Sequence, residues 1–177
     1  MNRTITTVAL VATFAVGLAL GTAVAGKSVD TSLFVGAEPA AAGQALLQVA
    51  ADQAGSGSWE RLVVARVHLL AGDGERARAI FAAVTSDDPE PSDWLRIGGI
   101  WAEAGNWGEA KAAFDKALAK KAGNADYLAE IGAYTNLAGD RAAAEELFRQ
   151  SFAEDADDPY STAMIAGSYL GVTPRRW

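Results

Sequence analysis

Several residue groups have types and spacings that could do chemistry. Gly72-Asp73-Gly74-Glu75-Arg76-Ala77 has the glycine spacing of a dinucleotide loop, in which backbone amides cradle a pyrophosphate. That loop also needs a preceding strand, a βαβ unit and a downstream acid for the ribose; here the glycine instead recurs as a helix turn. His68, the one histidine, has no partner His or Cys and no Asp or Glu at ligand spacing, so packing is the preferred role. Glu154, Asp155, Asp157 and Asp158 could gather round calcium, but they lack the Gly turn and closing Glu of a calcium loop. A solvated loop is the better reading. No serine stands in a nucleophile elbow, and one histidine leaves little for a triad. Trp94, Trp101 and Trp107 could stack a sugar, and Lys116, Lys120 and Lys121 form a small basic edge. Core packing and a solvated face are preferred for these two groups. No catalytic residue, metal or cofactor is therefore expected.

The composition narrows the classes further. The chain has 177 residues, with 15 Lys and Arg against 22 Asp and Glu, a formal charge of −7. This acidic balance argues against nucleic acid, whose phosphates need basic surface. Half the residues are hydrophobic, which is not the composition of a disordered chain. There is no cysteine, which removes disulfides, thiol catalysis, Cys-ligated zinc and a lipidated N-terminal Cys.

The N-terminus reads as an address. Arg3 is the only charge before Lys27, and Ile5 to Ala25 is an uncharged stretch of 21 residues ending in Ala23-Val24-Ala25. A basic start, an apolar middle and an Ala-x-Ala end form a secretory signal, so residues 1–25 are expected to be removed before Gly26. The alternative is an uncleaved anchor, because about 20 apolar residues can span a bilayer. Any membrane contact would then run through residues 5–25. Either way the rest lies outside the cytoplasm: secreted across the inner membrane and periplasmic in a bacterium, as the alanine-rich composition suggests, or anchored there with the domain outside.

These residues need elements to position them, and an internal echo names the elements. Gly105-Asn106-Trp107, Ala110, Phe114 and Ala117-Leu118 are followed 34 residues later by Gly139-Asp140-Arg141, Ala144, Phe148 and Ser151-Phe152. They are preceded 33 residues earlier by Gly72-Asp73-Gly74, Ala77, Phe81 and Val84-Thr85. Upstream, Ile97-Gly98 and Trp101 match Ile131-Gly132 and Thr135, with Tyr134 one place early, and Val64-Ala65 and His68. Apolar residues fall at helical spacing on both sides of each glycine. The glycine suits a left-handed helix end, and the following Asp73, Asn106 or Asp140 suits a cap. Asn106 and Glu109 have capping-box spacing. Each copy thus predicts helix, tight turn, helix. Ala65, Gly98 and Gly132 permit close approach, and Phe81, Phe114 and Phe148 fill the space between pairs.

Trp94-x-x-Ile97-Gly98-x-x-Trp101 with Gly105-x-Trp107-x-x-Ala110-x-x-x-Phe114-x-x-Ala117 resembles the tetratricopeptide repeat family. The third copy departs at Thr135 and Arg141, where aromatics are usual. The first departs at Ala65 and His68, with Pro89 at the family's closing proline. The resemblance implies an all-α fold, an α-solenoid of about three helix-turn-helix repeats (58–90, 91–124 and 125–158) with an extra helix at each end. Pro39 to Ala54 is the expected N-terminal capping helix within a 26–57 tether region. Residues 159–170 form the closing helix and 171–177 a C-terminal tail, frayed from Thr173.

In that family the first helix of each pair lines a concave groove. The resemblance places Trp59, Leu62, Arg66 and Leu69, then Leu95, Gly99 and Ala102, then Ala129, Ala133 and Asn136 there. Ala163, Gly167 and Leu170 would come next, on the closing helix. Trp59, outside the consensus aromatics, could anchor a ligand or staple the preceding helix. Members that grip a terminal carboxylate use several Lys and Asn; only Arg66 and Asn136 are comparable here. A groove of Leu, Ala and Gly suits an apolar or helical segment, or is filled by the protein's own N-terminal segment. The leading expectation is an exported, non-enzymatic module binding a protein or peptide partner. A structural subunit of an envelope assembly, using its end faces, ranks second. An enzyme or small-molecule binder ranks third.

Overall fold

The computed structural model describes residues 29–174. The expected signal, residues 1–25, and positions 175–177 of the tail lie outside the described residues. Among those described there are eight α-helices, a single 3-10 turn and no strand. After the 3-10 turn Thr31–Leu33 come α1 (Pro39–Ala54), α2 (Ser58–Leu70), α3 (Gly74–Val84), α4 (Pro91–Glu103), α5 (Trp107–Lys120), α6 (Ala125–Leu137), α7 (Arg141–Glu154) and α8 (Pro159–Tyr169). The 3-10 turn, capped by Asp30 accepting from Ser32 N at 2.9 Å, lies in the 26–57 tether region ahead of α1. No described helix is long and apolar enough to cross a membrane.

The three hairpins α2–α3, α4–α5 and α6–α7 close on the same local chemistry. Gly72, Gly105 and Gly139 have φ of 91°, 77° and 95°, a region L side chains resist. The residue after each glycine sends its N–H back to a carbonyl five residues earlier: Asp73 to His68 at 2.8 Å, Asn106 to Trp101 at 2.9 Å, Asp140 to Thr135 at 3.2 Å. These bonds satisfy carbonyls left open at the helix end. Asp73 and Asp140 then cap the next helix, accepting from Arg76 N and Ala143 N at 3.2 Å each. Asn106 makes no side-chain cap, so its spacing to Glu109 is not used. The capping residue that does reach back is Asp93 in α4, whose carboxylate accepts from Glu90 N at 3.0 Å.

Packing between hairpins rests on aromatic side chains over missing ones. A Cβ on Gly98 would lie 2.3 Å from the Phe114 ring, and one on Gly132 would lie 2.6 Å from the Phe148 ring. Each phenylalanine therefore sits against its partner helix where no other residue fits. Each then meets an aromatic of the next first helix. Phe81 stands edge-on to Trp101 at 5.4 Å, Phe114 stacks on Tyr134 at 5.5 Å, and Phe148 tilts against Tyr169 at 5.9 Å. Tyr134, not Thr135, plays the aromatic part in α6; Thr135 is buried and bonds back to Ile131 O at 2.7 Å. α1 packs on α2 and is largely exposed, with only Ala42 and Ala54 buried.

α8 lies along α6, and small residues let it come close. Ser161, Ala129 and Ala133 are each fully buried. Ile165 joins Ala129, Ala133, Ala144 and Phe148 in one core cluster. Asn136 Nδ2 donates to Ser168 Oγ at 3.0 Å. Asp158, at the end of the acidic run Glu154 to Asp158, caps α8 by accepting from Tyr160 N and Ser161 N at 3.1 and 2.8 Å.

Candidate functional site: a cleft between the first helices

Helical spacing puts Trp59, Leu62 and Val63 on one side of α2 and Arg96, Gly99, Ile100 and Glu103 on one side of α4. With Glu130 and Tyr134 of α6 they enclose a narrow cleft of about 50 Å³, and Thr173 and Pro174 complete the wall. A second, wider cleft of about 420 Å³ lies beside it, lined by Ala102, Trp107, Leu137 and Ala138. The two share Glu103, Tyr134 and Thr173. They are halves of one groove crossed by the tail.

The polar groups of the cleft are tied to its walls. Arg66 Nε donates to Glu103 Oε2 at 2.6 Å, and Arg66 Nη2 donates to Glu103 Oε1, a two-pronged bond fixing α2 to α4. The hydrogen bond to Glu103 raises the Arg66 pKa, with burial opposing. The Arg96 guanidinium lies 3.7 Å from the Trp59 ring centroid, a distance at which the ring face attracts a cation. Burial lowers the Arg96 pKa, against the raising influence of Asp93, Tyr127 and Glu130. Gly99 gives Tyr134 room, since a Cβ there would stand 3.0 Å from the phenol oxygen. That phenol donates to the Pro174 carbonyl at 2.8 Å. The arrangement can hold a length of polypeptide between aromatic and aliphatic walls, with a hydroxyl placed for a main-chain carbonyl.

Of the residues expected to line a groove, Trp59, Leu62 and Gly99 border the first cleft and Ala102 the second. Arg66 stands behind the wall, acting on it through Glu103. Leu95 is a buried core residue, and Leu69 packs half-buried on the same core. Ala129 and Ala133 are sealed in the core cluster with Ile165, and Asn136 is held by Ser168. The third-copy residues thus face α8 and not an open groove. Val63, Arg96, Ile100, Glu103, Glu130, Tyr134, Thr173 and Pro174 also line the cleft, and the repeat resemblance does not point to them. Spacing of three and four residues from Trp59 and Gly99 marks Val63, Arg96 and Glu103, while Ile100 is next to Gly99 in the chain. Nothing local marks the tail.

The remaining chemical candidates have structural partners. Trp101 is buried against Phe81, and Trp107 tilts on Phe114 at 6.1 Å. Lys116 lies 4.1 Å from the Trp94 ring centroid, and Lys121 5.2 Å from that of Tyr127. Lys120 bonds Asp88 Oδ1 and Pro89 O at 2.9 and 2.7 Å. His68, which has no acid at ligand spacing in the sequence, has Nδ1 3.4 Å from Asp73 Oδ2 across the hairpin turn. The glycine-rich Gly72–Ala77 run is that turn followed by the first residues of α3. No group of three or more potential ligands is placed to hold a metal among the described residues.

No family model matches the chain, and no curated protein or solved structure shows significant similarity to it.

Proposed function

We propose that the protein is an exported, non-enzymatic interaction module built from three tetratricopeptide-type repeats, and that it binds a peptide or helical segment in the cleft between α2, α4 and α6. The observation that carries this reading is the character of the cleft wall. Trp59 and Val63 present apolar surface over the buried Leu62, Ile100 and Tyr134, and the wall residue Glu103 is engaged by Arg66 behind it. Such a surface gains affinity by excluding water over buried area, with few polar anchors for orientation. The repeat reading draws support from the glycine turn shared by three hairpins and from the interlocked aromatics. Export rests on the Arg3 to Ala25 pattern, with residues 5–25 as an inner-membrane anchor if they stay attached.

The test is capture from the compartment the protein inhabits, comparing the wild-type chain with Trp59→Ala. A saturable peptide partner retained by the first and lost by the second supports the proposal. The second reading, an assembly subunit using its end faces, is favoured by one observation: Tyr160 and Leu170, near the two ends of α8, are 76% and 81% exposed. A stoichiometric complex that ignores Trp59→Ala and dissociates with Leu170→Asp would select it.

A further inference from the structure

One wall of the cleft is supplied by the end of the chain itself, through Thr173 and Pro174. α8 ends at Gly171, with φ of 77°, and Val172 N–H returns to Gly167 O at 2.8 Å. This is the same helix-ending turn that closes the three hairpins, but here no second hairpin helix follows among the described residues. Thr173 crosses between the two halves of the groove, and Pro174 is buried against it with its carbonyl held by Tyr134. Proline is pre-set for an extended conformation and carries no N–H to satisfy, so it seats on aromatic surface at low entropic cost. Before it, Val172 is 59% exposed and Thr173 is exposed as well.

We propose that Val172-Thr173-Pro174 is an intramolecular pseudo-ligand, and that the cleft's external ligand is an extended, proline-containing peptide that displaces it. This rests on reading the cleft as a peptide site. It changes that reading in one respect: the resting protein is closed to its partner.

A short tether holds its segment at an effective concentration of roughly 1 mM, so a free peptide with a Kd of about 0.1 mM for the open cleft would bind the resting chain about tenfold more weakly. The probe is a synthetic peptide of residues 170–177, amidated and labelled with fluorescein, titrated by anisotropy against the full chain. In Gly171→Val/Val172→Asp, a β-branched residue is forced into the left-handed region where the tail turns, and no cleft-lining side chain changes. This variant should bind the probe about tenfold more tightly than wild type, and adding Trp59→Ala should remove that gain. If it does not fold, Pro174→Gly takes its place, removing the buried ring that seats the tail and loosening its backbone. Equal affinity of the wild-type and released chains, or no binding to a released chain with wild-type circular dichroism, overturns the proposal. A natural partner that binds both chains equally would overturn it while sparing the function above. A released cleft that takes the probe but no peptide from its compartment would do the reverse.

Discussion

At the scale of single residues, two glycines of one type have opposite meanings. Gly43 in α1 has nothing within 4 Å of where a Cβ would stand, whereas Gly98 in α4 is covered by the Phe114 ring. Gly43→Ala should stabilise the protein by about 0.5–1 kcal/mol, the helix-propensity gain. Gly98→Ala adds the same propensity but forces the ring aside, and overpacking costs about 1–3 kcal/mol, so it should destabilise. Chemical denaturation of both variants checks the pair of signs; stabilisation by Gly98→Ala would mean the ring does not lie there. Phe114 itself is 1% exposed, and Phe114→Ala should cost about 3–5 kcal/mol, a large share of the roughly 5–15 kcal/mol of a domain. Arg66 carries a different lesson. The repeat resemblance places it in the groove, but its guanidinium is engaged with Glu103. Both side chains are about a fifth exposed, so solvent screening trims the bond. Arg66→Ala should still lower stability by about 1–2 kcal/mol. A double-mutant cycle with Glu103→Ala should show coupling of about 1 kcal/mol, and additive losses would show that the two do not act together.

At the scale of elements, the sequence periodicity of α8 says helix but not where the helix goes. It settles along α6 because Ala129, Ala133 and Ser161 leave no side-chain bulk between the axes. Ala133→Leu should therefore pry α8 away, at a cost of about 1–3 kcal/mol. Amide exchange should rise across Pro159–Tyr169 well before it rises in α4. Uniform loosening of every helix would show instead that α8 and the hairpins unfold as one unit. The capping residues divide in the same way. Asp73 and Asp140 are used where their position predicts, while Asn106 is not and Asp93 is used unannounced. A cap needs a side chain of the right type, and also a backbone angle that tertiary contacts supply.

At the scale of the whole molecule, residues 26–177 should give a far-ultraviolet spectrum dominated by helix. A substantial sheet signal would contradict the all-helical fold. Intact-mass measurement on protein isolated from its compartment should give a chain beginning at Gly26. A mass that includes residues 1–25 would favour the anchored alternative. The acidic charge of the chain, −7, should leave it without measurable affinity for duplex DNA at moderate salt, as a gel-shift titration would show.

By itself the sequence determined the helices and their turns. A period of 33 to 34 residues repeats the same short-range instructions, and glycine turns and helical apolar spacing act within a few residues, where chain order is spatial order. It also placed Trp59, Leu62 and Gly99 on the helix faces that border the cleft. Only the tertiary structure decided which exposed positions became a site. Ala129, Ala133 and Asn136 have the spacing of groove residues, but α8 covers them; Arg96 and Glu103 look like surface charges, yet they stand in the wall. Tyr134 and Pro174 are 40 residues apart and meet through one hydrogen bond. No local pattern encodes such a contact, because it forms only when the stacking of the helices brings the end of α8 back over the cleft.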